Sequence, residues 1–446
     1  MTELKKGKQM KHILQQIVED NREGKGTGIY SCCSANYYVL RAVMARAIKH
    51  NTPLLIEATA NQVDQFGGYT GMTPDQFFVW VRELADEMGL PEDLLILGGD
   101  HLGPLRFADK PESEAMTLAS ELVYAYAKAG FTKIHLDTSM RVADDDTNSR
   151  LSDEVIARRG AMLCKKAEEG YAERKKAEPN AIAPVYIIGS EVPIPGGEQE
   201  ETSSITPTKP EDLEHTYRTF EAAFEKEGLA DAFERVIGVV VQPGVEFGSE
   251  TVFVYDRENA KAITAAARNY PHIVLEGHST DYQPREALKR MVEDGVGILK
   301  VGPALTFANR EGLYALENVE KELIARGVDM EPSEFRAVLD REMLASDGYW
   351  RKYYPGSDEE QAYQRAFSLS DRSRYYMSVP AVVQAAEKLL SNLAGVSIPY
   401  PVLSQYLPLQ ATRVRDGVIK PDPESILLDH IGDMIDDYLY ATAVIE

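Results

Sequence analysis

Asp100 and His101 stand side by side in Leu94-Leu-Ile-Leu-Gly-Gly-Asp-His-Leu-Gly-Pro104, an acid–base group next to a metal-ligating imidazole. Leu94 to Leu97 reads as a strand buried on both faces, and Gly98 and Gly99 are expected to release the backbone after it. In a barrel of parallel strands, side chains just past a strand's C-terminal end sit in the mouth where chemistry is done. Other apolar runs deliver similar groups at their ends: Glu57, Asp137, Glu191, Gln242 and Glu246, Glu276 and His278, and Lys300. Two imidazoles and several carboxylates meeting from separate strands could hold a divalent cation, since nitrogen plus carboxylate oxygen suits zinc or manganese.

Those positions recur because apolar runs alternate with helical periodicity. Strands are expected at Ile29–Cys33, Pro53–Ala58, Leu94–Leu97, Lys133–Asp137, Ala183–Ile188, Val236–Val241, His272–Glu276 and Gly297–Val301. Helices separate them, one opened by Ser34 or Asn36 as cap and another by Thr73 with Pro74 at its first position. Eight strand–helix repeats are the signature of a (β/α)8 TIM barrel, and no Gly-x-Gly-x-x-Gly opens the first helix to favour a dinucleotide-binding sheet. The barrel is expected over residues 1–310. Residues 311–446 read as a C-terminal helical extension covering the barrel mouth, with aromatic and arginine-rich loops such as Asp371-Arg-Ser-Arg-Tyr-Tyr376. Arg372 and Arg374 either form surface ion pairs or cap a sugar or phosphate.

Composition narrows the classes. A net charge of −23 over 446 residues argues against nucleic acid and anionic membrane surfaces, whose phosphates it would repel. No apolar run approaches the roughly 20 residues of a membrane span, and the basic Met1–Met10 stretch lacks the apolar segment of a secretory signal. Three cysteines, with Cys32 and Cys33 adjacent, make no disulfide framework and read as packing in a reducing, cytoplasmic setting. Asp144-Asp-Asp146 lacks the spaced ligands of a calcium loop. His12, His50, His215, His272 and His430 read as structural or surface residues.

The chain resembles the subunits of class II tagatose-bisphosphate aldolase usually labelled non-catalytic, the GatZ/KbaZ type. The resemblance is carried by Tyr30-Ser-Cys-Cys-Ser-Ala-Asn36, Glu57-Ala-Thr-Ala-Asn-Gln62, Gly98-Gly-Asp-His-Leu-Gly-Pro104, His135-Leu-Asp-Thr-Ser-Met140, Gly189-Ser-Glu-Val-Pro193 and Leu275-Glu-Gly-His-Ser-Thr-Asp281. It extends almost end to end. That family is in turn similar to the catalytic zinc-dependent aldolases, which cleave a ketose bisphosphate between C3 and C4. The resemblance implies Asp100 as the acid–base group, His101 and His278 as zinc ligands, and Glu191 as a ligand or second acid–base group. Lys300-Val301 matches the family's segment at strand eight, with a phosphate-binding turn expected at Gly302 to Thr306. Ser31, Glu57, Asp137, Lys300, Arg372 and Arg374 are the substrate-binding candidates. At strand six the chain departs from the aldolases: Val241-Gln-Pro-Gly-Val-Glu246 has no histidine, so Gln242 or Glu246 is the expected substitute ligand by its oxygen.

The resemblance then implies a metal-dependent aldol-type enzyme on six-carbon ketoses or ketose phosphates, working as a 4-epimerase. Breaking C3–C4 and re-adding the aldehyde on its other face would interconvert fructose- and tagatose-type sugars. The competing expectation is a stabilising subunit without turnover of its own, partnered by a catalytic aldolase chain. A homo-oligomer is expected. A kinase is ranked last, since no Gly-x-x-x-x-Gly-Lys-Ser/Thr loop is present.

Overall fold

The computed structural model describes residues 11–147, 150–190 and 205–445. In chain order its elements begin with α1 (Leu14–Arg22), β1 (Ile29–Cys32), α2 (Tyr37–His50), β2 (Leu54–Thr59), α3 (Pro74–Met88) and β3 (Leu95–Leu102). There follow α4 (Glu112–Ala129), β4 (Lys133–Leu136), α5 (Asp153–Ala177), β5 (Val185–Ile188), α6 (Pro210–Lys226), α7 (Ala230–Phe233) and β6 (Val236–Val241). A small hairpin, β7 (Glu246–Phe247) and β8 (Val252–Phe253), precedes α8 (Arg257–Ala267), β9 (Val274–Gly277), α9 (Arg285–Glu293) and β10 (Val296–Val301). The rest is helical: α10 (Pro303–Ala325), α11 (Phe335–Ala345), α12 (Asp358–Phe367), α13 (Pro380–Ala394), α14 (Tyr400–Tyr406), α15 (Pro408–Arg415) and α16 (Pro423–Ala441).

Strands β1-β2-β3-β4-β5-β6-β9-β10 close into a barrel, every adjacent pair parallel. The molecule is a (β/α)8 TIM barrel with an added C-terminal helical region. Local signals act as expected at the helix starts. Asn36 accepts from the N–H groups of Tyr38 and Val39, and Thr73 with Gln76 forms a capping box ahead of Pro74.

Three differences from the sequence reading have physical causes. Strand β3 does not stop at Leu97 but runs through both glycines to Leu102. Gly98 and Gly99 are needed for room rather than release: a Cβ on Gly98 would lie 2.8 Å from Glu57 Cγ, and one on Gly99 2.5 Å from Leu102 Cδ1. The turn falls later, at His101, whose φ of +50° coincides with a break in the β3–β4 register. Second, α10 starts at Pro303, directly after β10, whereas helical periodicity in the sequence is expected only over Leu313 to Arg326. Third, Gln405 to Arg413, which its aromatic and arginine content marks as a loop in the sequence, holds the end of α14 and most of α15, two helices opened by proline near the first turn.

Alternation along the strands divides the barrel interior into two layers. Ile29, Leu55, Ile96, Val185, Val274 and Ile298 fill the end where the strands begin, and Leu14 and Val18 of α1 plug it. His12, buried, holds that plug by accepting from the Leu14 N–H through Nδ1. Two residues further along, β2, β9 and β10 present Glu57, Glu276 and Lys300, and β1 presents Ser31. The helical region is tied to the barrel by Arg46 on α2 paired with Asp429 and Asp436 on α16. It is tied again by Tyr438, whose hydroxyl donates to the carbonyl of Thr280 at 2.8 Å.

Candidate active site

The inward positions near the strand ends are Ser31 on β1, Glu57 on β2, Asp100 and His101 on β3, Lys133 and His135 on β4, Glu276 on β9 with His278 just beyond, and Lys300 on β10. All are buried. Lys133 Nζ bridges Glu57 Oε1 at 2.7 Å and Glu276 Oε2 at 2.8 Å, and Ser31 donates to Glu57 Oε1 at 2.6 Å. Lys300 Nζ lies 2.5 Å from Asp100 Oδ1 and 3.2 Å from Glu57 Oε2. His101 Nδ1 is 2.7 Å from Asp137 Oδ2, and Asp137 Oδ1 accepts from the backbone and hydroxyl of Ser139.

Three imidazoles meet edge to face around one point. The ring centroids of His101, His135 and His278 are 5.1, 5.0 and 5.3 Å apart. One donor atom each from Asp100, His135, Glu276 and His278 lies within 4.8 Å of the others. Two neighbours compete for His135 Nδ1: the His101 N–H at 3.2 Å and Asp100 Oδ1 at 2.9 Å. With Asp100 ionised, Nδ1 donates to it, and Nε2 is left as a lone pair, buried without a hydrogen-bond partner.

The electrostatics favour a cation. Four carboxylates (Glu57, Asp100, Asp137, Glu276) face two ammonium groups (Lys133, Lys300), so carboxylates outnumber the lysines around the imidazoles. Burial pushes His278 down to about 3, which keeps its ring neutral and able to ligate. Burial opposes charge on His101 too, but Asp100 and Asp137 outweigh it and raise that ring's pKa. Against the same burial, His101 and Lys300 hold Asp100 well below the usual carboxylate range, and His101 brings Asp137 to about 2. Asp100 is therefore ionised. Nitrogen and carboxylate oxygen donors, an unpartnered imidazole nitrogen and the surplus of carboxylates fit a divalent metal ion. His101, oriented through Nδ1 by Asp137, follows the carboxylate–histidine pattern of metal sites.

Above this layer a cavity is lined by Asp100, His101, His278, Lys300, Asp281, Gly302, Arg374 and Tyr375, among others. The helical region thus supplies part of its wall. Of the two expected arginines only Arg374 reaches it, donating to the Tyr375 hydroxyl at 3.2 Å. Arg372 stands behind, its guanidinium 3.3 Å from the centre of the Tyr353 ring. Ser31, Glu57 and Asp137 lie below or beside the cavity rather than on its surface. Cys33 lines it, but burial holds the thiol well above its ordinary value, so it stays protonated.

Two expectations need restating. Gln242 does not turn toward the imidazoles: its Oε1 accepts from the N–H groups of Gly244 and Val245 and closes a turn after β6, which occupies the oxygen expected to ligate. Glu191 lies outside the described residues. Conversely, Lys133 and His135 are central here and were not among the expected site residues. Their signal was legible, since alternation in Lys133-Ile-His-Leu136 puts both on one face while Ile134 and Leu136 pack outward into the helices.

The sequence matches the family described as D-tagatose-1,6-bisphosphate aldolase subunit GatZ/KbaZ-like over residues 14–443. The structure is similar to that of a probable tagatose 6 phosphate kinase from Sinorhizobium meliloti 1021, with 44% identity and a TM-score of 0.83 over 93% of this chain and 100% of that one. Weaker matches include a fructose-bisphosphate aldolase from Campylobacter jejuni (16% identity, TM-score 0.41, 85% and 91% covered). Another is the fructuronate-tagaturonate epimerase UxaE from Cohnella laeviribosi (13% identity, TM-score 0.45, 92% and 81% covered). The chain belongs to the GatZ/KbaZ-like family of D-tagatose-1,6-bisphosphate aldolase subunits.

Proposed function

We propose that this chain is a metal-dependent aldol-type enzyme of the cytoplasm that interconverts fructose- and tagatose-type six-carbon ketoses, free or phosphorylated, at C4. The observation that carries the reading is the meeting of the ionised carboxylate Asp100 with His101 and His278 at one cavity, the His135 ring packed against both imidazoles. His101 and His278 are the nitrogen ligands, His135 joins them, and Glu191 or Glu276 contributes oxygen. When bound, zinc (or manganese) supplies Lewis-acid polarisation of the ketose C2 carbonyl and C3 hydroxyl.

Asp100 accepts the proton of the C4 hydroxyl, the C3–C4 bond breaks, and its electron pair moves toward the C2 carbonyl oxygen. Lys300, beside Asp100, offsets the negative charge that develops. The three-carbon aldehyde turns and re-adds through its other face, and the proton returns to the new C4 oxygen from Asp100 or from Glu191 as second acid–base group. Lys300 and Arg374 contact the substrate directly. Ser31, Glu57, Asp137 and Arg372 hold those groups in place from behind. Residues 311–446 close the mouth and keep the aldehyde from escaping to water.

The test is direct. Purified protein loaded with zinc or manganese should convert fructose 6-phosphate to tagatose 6-phosphate, read by chromatography or NMR. Absence of conversion at full metal occupancy would falsify the reading.

A second reading is a stabilising subunit for a separate catalytic aldolase chain. Two observations favour it: the family's description as a subunit, and the Lys300 ammonium 2.5 Å from Asp100, where it competes with a cation. A protein that lengthens the half-life of a co-purified aldolase and converts no ketose alone would bear this out. The phosphoryl transfer suggested by the name of the Sinorhizobium protein lacks a phosphate-cradling Gly-x-x-x-x-Gly-Lys-Ser/Thr loop in this sequence.

A further inference from the structure

The start of α10 is where a ketose phosphate would be expected to dock. Backbone N–H groups at the N-terminus of a 23-residue helix attract anions. Here that seat is taken. Asp281 Oδ1 accepts from the N–H of Gly302 at 3.0 Å and from that of Ala304 at 2.8 Å, while Pro303 between them has none to offer. Asp281, Gly302 and Pro303 all line the cavity shared with Asp100, His278 and Lys300.

The carboxylate is held there from several sides. Ser279 and Tyr282 flank its segment with φ values of +54° and +61°, a left-handed backbone that side chains rarely adopt without support. Between them Thr280 donates through Oγ1 to the Lys300 carbonyl at 2.7 Å and accepts at its own carbonyl from Tyr438 on α16. Burial raises Asp281 to about 6, so it is ionised above that pH. A phosphate arriving at Gly302–Ala304 would meet a like charge and find its donors in use. Displacing Asp281 would strip a buried carboxylate of two hydrogen bonds.

We propose that Asp281 is a specificity-determining residue: it fills the anion seat of α10 and restricts the site to ketoses whose end at Gly302–Ala304 carries no phosphate. The site then selects free ketoses or monophosphates, with Arg374 left to receive the single phosphate, and rejects bisphosphates. This deepens the ketose reading above and rests on it for the identity of the sugar.

The experiment measures binding and turnover separately on the metal-loaded protein and on D281N, which removes the negative charge and leaves only a weaker, neutral acceptor for an incoming phosphate to displace from Gly302 and Ala304. By calorimetry, D281N should bind inorganic phosphate at least about tenfold more tightly than the natural protein, as removal of a nearby like charge predicts. The natural protein should bind fructose 6-phosphate at least about tenfold more tightly than fructose 1,6-bisphosphate, a gap that narrows in D281N. Equal or tighter binding of the bisphosphate by the natural protein overturns the proposal, and that measurement needs no variant to fold. Unchanged phosphate affinity in a D281N protein with a normal melting curve also overturns it. If phosphate affinity rises as expected but neither protein converts a ketose, charge exclusion stands and the C4 chemistry is what fails.

Discussion

The two ends of the barrel interior are built from the same strands and differ in almost everything else. At the closed end Ile29, Leu55, Ile96 and Ile298 pack against Leu14 and Val18 of α1. Two residues along, Ser31, Glu57 and Lys300 continue β1, β2 and β10 with polar atoms, joined by Asp100, Lys133 and Glu276. Burial is nearly complete at both ends. Apolar burial at the first contributes stability at roughly 25 cal/mol per Å². Ion pairs at the second barely recover their desolvation, and are retained where chemistry needs them. One end holds the fold, and the other is held by it.

The difference can be broken most severely at Asp100. Asp100→Asn should lower turnover by about 10³-fold or more, as loss of a general base does. Its metal content, by elemental analysis, should stay near normal if the imidazoles carry the ion. Unchanged turnover removes Asp100 from the mechanism.

Lys133→Met makes the charged layer resemble the apolar one at a single position. Glu57 and Glu276 would lose their shared ammonium inside the barrel, so a destabilisation of about 3–5 kcal/mol is expected from denaturant unfolding. A neutral result would mean that the upper layer is wetter than its burial implies.

Acid should separate the two ends by sign. Burial depresses His12, under the plug, to about 4 from an ordinary 6.5. Its contribution is therefore present above pH 6.5 and lost as pH falls toward 4, by about 3 kcal/mol at most. Asp281, raised to about 6, does the reverse: it costs nothing near pH 4 and weighs against folding above pH 6. Melting curves of His12→Gln should lose the first dependence. Those of Asp281→Asn should gain stability at pH 8 relative to the natural protein but not at pH 4.

The smallest effect is expected where the helical region touches the upper layer. Tyr438→Phe removes one buried hydrogen bond to Thr280 and should cost about 1 kcal/mol in thermal unfolding. It should also narrow the difference in KM between mono- and unphosphorylated ketoses less than Arg374→Ala does.

Much of this was readable in advance. Apolar runs with turn residues between them located all eight barrel strands, and Asn36, Thr73 and Pro74 marked helix starts where caps are seen. Asp100, His101 and His278 were visible as chemistry-bearing types at strand ends, and the structure brings them to one cavity. Lys133 and His135 were hidden by type rather than pattern, because lysine and histidine at a strand's beginning read as edge residues until the strand is known to be enclosed. Gln242 misled because a side-chain amide serves a metal and a turn equally well, and only the backbone after β6 decides between them.

Periodicity and residue type are local properties, so the sequence by itself determined the barrel, its inward faces and the family. Which inward groups face one another was decided by strand closure: β1 pairs with β10, some 270 residues away, and that pairing carries Lys300 to Glu57 and Asp100. The placement of the Asp281 carboxylate, carried by the segment after β9, at the start of α10 is of the same kind. It depends on β9 lying beside β10 and on a hydroxyl from the last helix, relations that no stretch of sequence contains.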